Sequence, residues 1–141
     1  MSDVVFVDTN ILIYAHDAEA GSKRARAEKV LRELWESRAG RLSVQVLQEF
    51  YVNATRKLTI PMAQMAAREV VSSYGPWIRE PTTADTVIRA IDVAAMAQIS
   101  FWDALIVASA EQAEATQIYS EDLNTGQTIV SIRIVNPLAA P

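Results

Sequence analysis

Apolar and polar positions along the chain fall into two rhythms. Residues 4–7 (VVFV) are a short, uninterrupted apolar run rich in β-branched side chains, the pattern of a strand buried on both faces. Asp8 and Thr9 interrupt it, and either is fit to cap a helix through Ile11, Leu12, Tyr14 and Ala15. Gly21 and Ser22 break the chain and restart it. Ala25, Val30, Leu31, Leu34 and Trp35 then recur at near-helical spacing up to Gly40, which predicts a second helix with its basic residues outward. Residues 41–44 (RLSV) read as a very short strand or strand end running into a helix with Val46, Leu47, Phe50, Tyr51 and Ala54 on one side. Pro61 is placed to open a further helix, since its missing N–H is no loss in a first turn, and that helix should close near Gly75 and Pro76.

Residues 81–85 (PTTAD) look like a capping loop before Val87, Ile88, Ile91, Val93 and Ala94, and Ser100 is a cap for the helix of residues 101–115 (FWDALIVASAEQAEA). Residues 118–120 (IYS) and 132–135 (IRIV) resemble strands. Strands separated by helices predict parallel pairing through helical crossovers, hence an α/β fold. No internal repeat and no linker interrupts the pattern, so a single domain over residues 1–141 is expected, large enough to bury one core.

Composition narrows the chemistry. Without Cys there is neither a disulfide framework nor a thiolate metal site, and His16 as the sole histidine makes zinc a poor fit. The first apolar run ends at Asp8, too early for a secretory segment, and no stretch approaches the roughly 20 apolar residues of a membrane span. A soluble, cytoplasmic protein is expected. The formal net charge of −4 argues against attraction of nucleic acid by the whole surface. Charge is segregated, however: Lys23, Arg24, Arg26, Lys29, Arg32, Arg38 and Arg41 outnumber Glu28, Glu33 and Glu36 in one early segment. That segment is either a solvated helix face or a local surface for phosphate.

Four acids stand out. Asp8 ends the first predicted strand and Asp122 lies just past a later one, where open parallel sheets bind ligands. Glu49 sits in an apolar helical stretch (VLQEFYV), and Asp103 follows Phe101 and Trp102, which places both near the core boundary, where an unpaired charge is costly. Gathering such groups raises the cost of ionising each one, and a hard divalent cation reverses that penalty. With oxygen ligands only, the ion would be Mg²⁺ or Mn²⁺, and the reaction it suits is phosphodiester hydrolysis. Each acid also has an ordinary reading. Asp8 and Thr9 serve as a cap, Asp103 answers the helix dipole, Glu49 pairs with Arg56, and Asp122 beside Glu121 and Asn124 belongs to a turn.

The motifs together resemble those of PIN domains: residues 4–15 (VVFVDTNILIYA), 43–52 (SVQVLQEFYV), 100–110 (SFWDALIVASA), and the closing IYSEDLNTGQTI and IRIVNP, in family order over essentially the whole length. The size is similar to that of the VapC-like toxins of bacterial toxin–antitoxin pairs. The resemblance implies a three-layer α/β/α fold with a mainly parallel sheet, and a Mg²⁺- or Mn²⁺-dependent ribonuclease acting on RNA. It implies Asp8, Glu49 and Asp103 as the principal metal-site acids and Asp122, rather than its neighbour Glu121, as the fourth. Thr9, Asn10 and Ser120 would support them by hydrogen bonding. Apart from the resemblance, the basic segment offers Arg24, Arg26 and their neighbours to hold flanking phosphates. The resemblance further implies a homodimer inhibited by a small antitoxin protein, with Trp35, Tyr51 and Met65 available for either surface or for the core. Leu138 stands where relatives often carry an aromatic residue.

Other readings have sequence signatures of their own. A phosphoacceptor domain needs a late Lys, yet Lys23, Lys29 and Lys57 are all early; a haloacid-dehalogenase-like phosphatase needs a second Asp where Asn10 stands. A PIN-like module that binds RNA or protein without cutting it is the remaining alternative.

Overall fold

A computed structural model describes residues 3–139. In chain order the elements are β1 (Val5–Val7), α1 (Thr9–His16), α2 (Ser22–Ser37), β2 (Gly40–Arg41), α3 (Val44–Arg56) and α4 (Gln64–Tyr74). A single 3-10 turn (Gly75–Trp77) follows, then α5 (Ala84–Ala97), α6 (Phe101–Gln112), β3 (Gln117–Tyr119), β4 (Thr128–Ile129) and β5 (Ile132–Val135). The five strands form one sheet in the order β2-β1-β3-β5-β4, parallel except for the β4–β5 hairpin, and the helices flank it as an α/β/α sandwich. All three residues of β1 are buried, as its unbroken apolar run requires.

The chain leaves β1 for β2 on one side and returns to β3 on the other, so the carboxyl ends of β1 and β3 border the crevice where strand order reverses. Asp8 N–H donates to the Tyr119 carbonyl at 2.9 Å, which locks those two strand ends together. Helices α1 and α3 each start directly after a strand of this sheet, and α6 runs back into β3, so all three helix N-termini lie at the carboxyl edge. Ser43 caps α3 by accepting Val46 N–H, and Ser100 caps α6 by accepting Asp103 N–H.

The helix faces follow the apolar rhythm where packing is tight and depart from it elsewhere. Val46, Leu47, Phe50 and Ala54 of α3 are buried, with Tyr51 half-buried beside them. In α2 the inner face is Ala27, Leu31 and Leu34, while Ala25 and Trp35 face outward. In α5 the inner face is Thr86, Ala90 and Val93; the larger Val87, Ile88 and Ile91 are exposed. Small side chains there let α5 lie close against α6, which is buried from Ala104 to Ala110. Helix α4 begins at Gln64 rather than Pro61, because Met62 N–H is taken by the Ala54 carbonyl at 2.8 Å and the chain first closes back onto α3. Leu138 is buried at the chain's end. Among the described residues no single helix is long and apolar enough to cross a membrane.

Candidate active site

Asp8 occupies the end of β1 and the N-cap of α1 at once. Its Oδ1 accepts Thr9 N–H at 2.7 Å and its Oδ2 accepts the Ser120 hydroxyl at 2.8 Å, so the carboxylate is fixed in orientation from both strands of the crevice. It is only 8 % exposed. The cap and the chemical reading of this residue are therefore not alternatives, because each oxygen keeps a lone pair after making its cap or Ser120 contact.

Ser120 has no solvent exposure and every capacity of its hydroxyl is used. It donates to Asp8 and accepts Asp122 N–H and Leu123 N–H, each at 3.1 Å. One side chain thus sets Asp8 and the backbone of the turn that carries Asp122. Asn10 completes the tie, donating from Nδ2 to Asp122 Oδ2 at 2.9 Å and accepting Glu121 N–H at 3.1 Å. Thr9 donates its hydroxyl to Glu49 Oε1 at 3.1 Å and so reaches the third acid across 40 residues of chain. The three supporting residues named from sequence each contact one or more of the acids.

Electrostatics follows from this packing. The Asp8 carboxyl is pushed up from an ordinary 3.8 to about 6, chiefly by burial, with the charges of Asp122 and Glu49 adding to it and the Ser120 and Thr9 hydrogen bonds opposing it. No Lys or Arg among the described residues forms an ion pair with Asp8, Glu49, Asp103 or Asp122. Glu49 is solvent-exposed rather than at the core boundary, and it makes no pair with Arg56. Glu121 is different: Lys23 Nζ lies 2.8 Å from its Oε2 and the Tyr14 hydroxyl donates to its Oε1, so its charge is already answered on the far side of the turn. Of the two adjacent acids, Asp122 is the one turned toward Asn10 and Asp8.

Asp103 is half-buried at the third position of α6, beside Trp102, which is 64 % exposed. No hydrogen bond joins its side chain to the other acids. The start of α6 is brought to α3 by Gln45, whose Nε2 donates to the Trp102 carbonyl at 3.5 Å, and Glu49 lies one helical turn beyond Gln45. The structure therefore links Asp8, Glu49 and Asp122 through Thr9, Ser120 and Asn10 and sets Asp103 on the same edge of the sheet. Among the described residues, no three such side chains stand close enough to be joint ligands of one ion. The donor set still fits a hard cation, because Mg²⁺ needs only one or two carboxylates and fills its remaining positions with water and substrate phosphate.

Two of the early basic side chains are bonded within the fold. Arg24 pairs with Glu28 at 2.9 Å, and Arg26 donates to the Leu138 carbonyl at 2.8 Å, fastening α2 to the chain's end. His16 packs edge-on against Phe50, and burial lowers its pKa. The contact of Tyr14 and Lys23 with Glu121 was not foreseen from sequence, although Tyr14 lies one turn after Asn10 on the same face of α1 and the spacing was there to be used.

The family model for the PIN domain matches residues 5–128. No curated protein matches the chain by sequence. In structure, a toxin–antitoxin complex from Klebsiella pneumoniae is similar with 20 % identity and a TM-score of 0.69 over 95 % of this chain and 97 % of that one. VapC20 of Mycobacterium tuberculosis, described as a toxin that cleaves the sarcin-ricin loop, is similar with 21 % identity and a TM-score of 0.64 over 92 % and 98 %. FitAcB from Neisseria gonorrhoeae is similar with 16 % identity and a TM-score of 0.60 over 95 % and 98 %.

Proposed function

Because the chain belongs to the PIN domain family, we propose that it is a divalent-metal-dependent endoribonuclease, the toxin of a toxin–antitoxin pair. The observation that carries this reading is Asp8: a buried carboxylate with no cationic partner among the described residues, fixed by two hydrogen bonds and standing in the field of Glu49 and Asp122. Burying such a charge without a counterion is costly, and a divalent cation supplies the counterion.

In this reading Asp8, Glu49, Asp103 and Asp122 hold Mg²⁺ or Mn²⁺, directly or through water. When bound, the ion lowers the pKa of water and offsets charge building on the phosphoryl oxygens. The water oxygen joins phosphorus, the bond from phosphorus to one ribose oxygen breaks, and that oxygen takes up a proton. Ser120 and Thr9 N–H hold Asp8 in one orientation, Asn10 holds Asp122, and Thr9 holds Glu49, which fixes three of the acids at the edge where the ion would bind. The N-termini of α1 and α6 direct their positive ends at the same edge, which favours anionic substrate there. A small antitoxin protein as inhibitor belongs to the same proposal, supported by the toxin–antitoxin complex among the similar structures, and a homodimer is proposed as the working form.

A second reading, a PIN module that binds RNA or protein without cutting, is favoured by the absence of three preassembled ligands among the described residues. Incubating RNA with purified protein and Mn²⁺ or Mg²⁺, with and without chelator, separates the two. Cleavage that chelator abolishes and Asp103→Asn suppresses by about 100-fold or more supports the nuclease. Binding without cleavage in every metal supports the silent module.

A further inference from the structure

The acids occupy the carboxyl edge of the sheet. At the amino end of β2 a separate cleft of about 180 Å³ is lined by Trp35, Arg38, Gly40, Pro76, Trp77 and Arg79. Arg41 adjoins it, with its guanidinium donating to the Arg38 and Gly40 carbonyls at 3.0 and 2.8 Å. Arg79 donates to the Pro76 carbonyl at 3.3 Å. Among the described residues none of these three arginines forms an ion pair with a carboxylate. Burial and the charge of Arg79 both lower the pKa of Arg41, so the guanidinium groups stand close enough to repel each other. Arg38 also has a φ of 61°, a left-handed conformation that favours glycine at a helix end. The chain therefore concentrates positive charge here, in a protein of net charge −4, at a cost in both electrostatics and backbone.

Beside the arginines stands an aromatic platform. Trp77 is buried and Tyr74 meets it edge-on, while Trp35 lies 5.6 Å from Trp77 and is 47 % exposed. Trp35 also borders a larger cleft of about 550 Å³ along α2, where Glu28 and Glu36 line it together with Arg24 and Arg32.

We propose that the arginine–tryptophan cleft is a second RNA-binding surface, which grips the backbone and stacks an unpaired base of the substrate at a distance from the acids. This rests on the ribonuclease reading given above. Guanidinium groups answer the phosphates, and the exposed face of Trp35 suits a base in single-stranded RNA. An acidic peptide would use the arginines but leave that face unused.

Fluorescence anisotropy with a labelled single-stranded RNA of about 12 nucleotides, in chelator so that nothing is cut, tests the proposal. The variant is Arg38→Gly with Arg79→Ala, in which glycine suits the left-handed φ and keeps the fold. Removing two phosphate contacts should weaken binding about tenfold or more and reduce the slope of log K against log salt by about 1.4. Arg68→Ala, a loss of charge on α4, should leave both unchanged. Trp35→Ala should weaken RNA binding but leave the affinity for a hexaglutamate peptide as it was. Wild-type affinity and slope in the double variant would overturn the proposal. So would hexaglutamate displacing RNA with no effect of Trp35→Ala, which would assign the cleft to an acidic protein segment. RNA bound through these arginines but never cut in any metal would refute the ribonuclease reading and keep the surface, whereas metal-dependent cutting without the arginine-dependent slope would do the reverse.

Discussion

Asp8→Asn should make the metal-free protein more stable at neutral pH. The carboxyl of Asp8 titrates near 3.8 when the chain is unfolded and at about 6 in the folded protein, a gap that corresponds to about 3 kcal/mol above pH 6. The sign follows from proton binding: between those two values the folded state holds a proton that the unfolded state has released. Stability is therefore fully present below about 4 and is lost as pH rises through about 6. Asparagine carries no charge and escapes this loss. It keeps an oxygen for Thr9 N–H but turns an amide toward Ser120, whose hydroxyl already accepts two N–H groups and now lacks an acceptor for its own proton. That mismatch costs about 1 to 2 kcal/mol. The net gain is about 1 to 2 kcal/mol, or about 3 to 6 °C in Tm for a chain of this length.

Thermal unfolding in chelator at a series of pH values reads the effect directly. The variant should melt above the wild type at pH 7.5 and below it at pH 4, where Asp8 is protonated in the folded state and only the hydrogen-bond mismatch remains. Mn²⁺ at about 100 times its Kd should raise the wild type by about 2.7 kcal/mol and erase the variant's advantage. A variant that melts below the wild type by the same margin at every pH would refute the reasoning, since burial of an unanswered charge would then not be the dominant effect at Asp8.

Two other substitutions probe the packing, one beside the acids and one at the opposite end of the sheet. Ser120→Ala removes the donor to Asp8 and the acceptor of Asp122 N–H and Leu123 N–H, and should cost about 2 kcal/mol in denaturant unfolding and about 10- to 100-fold in Mn²⁺ affinity by calorimetry. An unchanged Mn²⁺ affinity in the folded variant would show that Ser120 does not set the carboxylate. Gly40→Ala would drive a Cβ into the buried Trp77 ring, so about 1 to 3 kcal/mol of stability should be lost, whereas Gly75→Ala, with open space around it, should not show that steric loss.

Much of this arrangement was legible in the sequence, for physical reasons that also mark where it was not. β1 and α3 announce themselves because burial on a fixed face leaves an apolar period, and Ser100 because a capping hydroxyl stands directly before its helix. In α5 the same rule fails: close approach to α6 favours Thr86 and Ala90 inside, which no hydrophobicity count selects over Ile88 and Ile91. The Pro61 start fails because a tertiary hydrogen bond from Met62 to α3 outweighs a local preference. The two-residue strand β4 carries too little pattern to be read. Asp8 was legible as an acid at a strand end, but its double duty as cap and buried charge appears only when Ser120 is brought to it from 112 residues away. The choice between Glu121 and Asp122 likewise depends on Lys23, Tyr14 and Asn10, none of which adjoins them in sequence. Within the basic segment Arg24 pairs with Glu28 and Arg26 bonds the Leu138 carbonyl, while Arg38 and Arg41 join Arg79 at the other end of the sheet.

The most direct test of the acid site is RNA cleavage by highly purified protein titrated with Mn²⁺, run beside Asp8→Asn and Asp103→Asn. The account predicts cutting that rises with the metal, vanishes in chelator and falls by about 100-fold or more in both variants while each remains folded. Equal cutting in chelator, or in a folded Asp8→Asn variant, would contradict it.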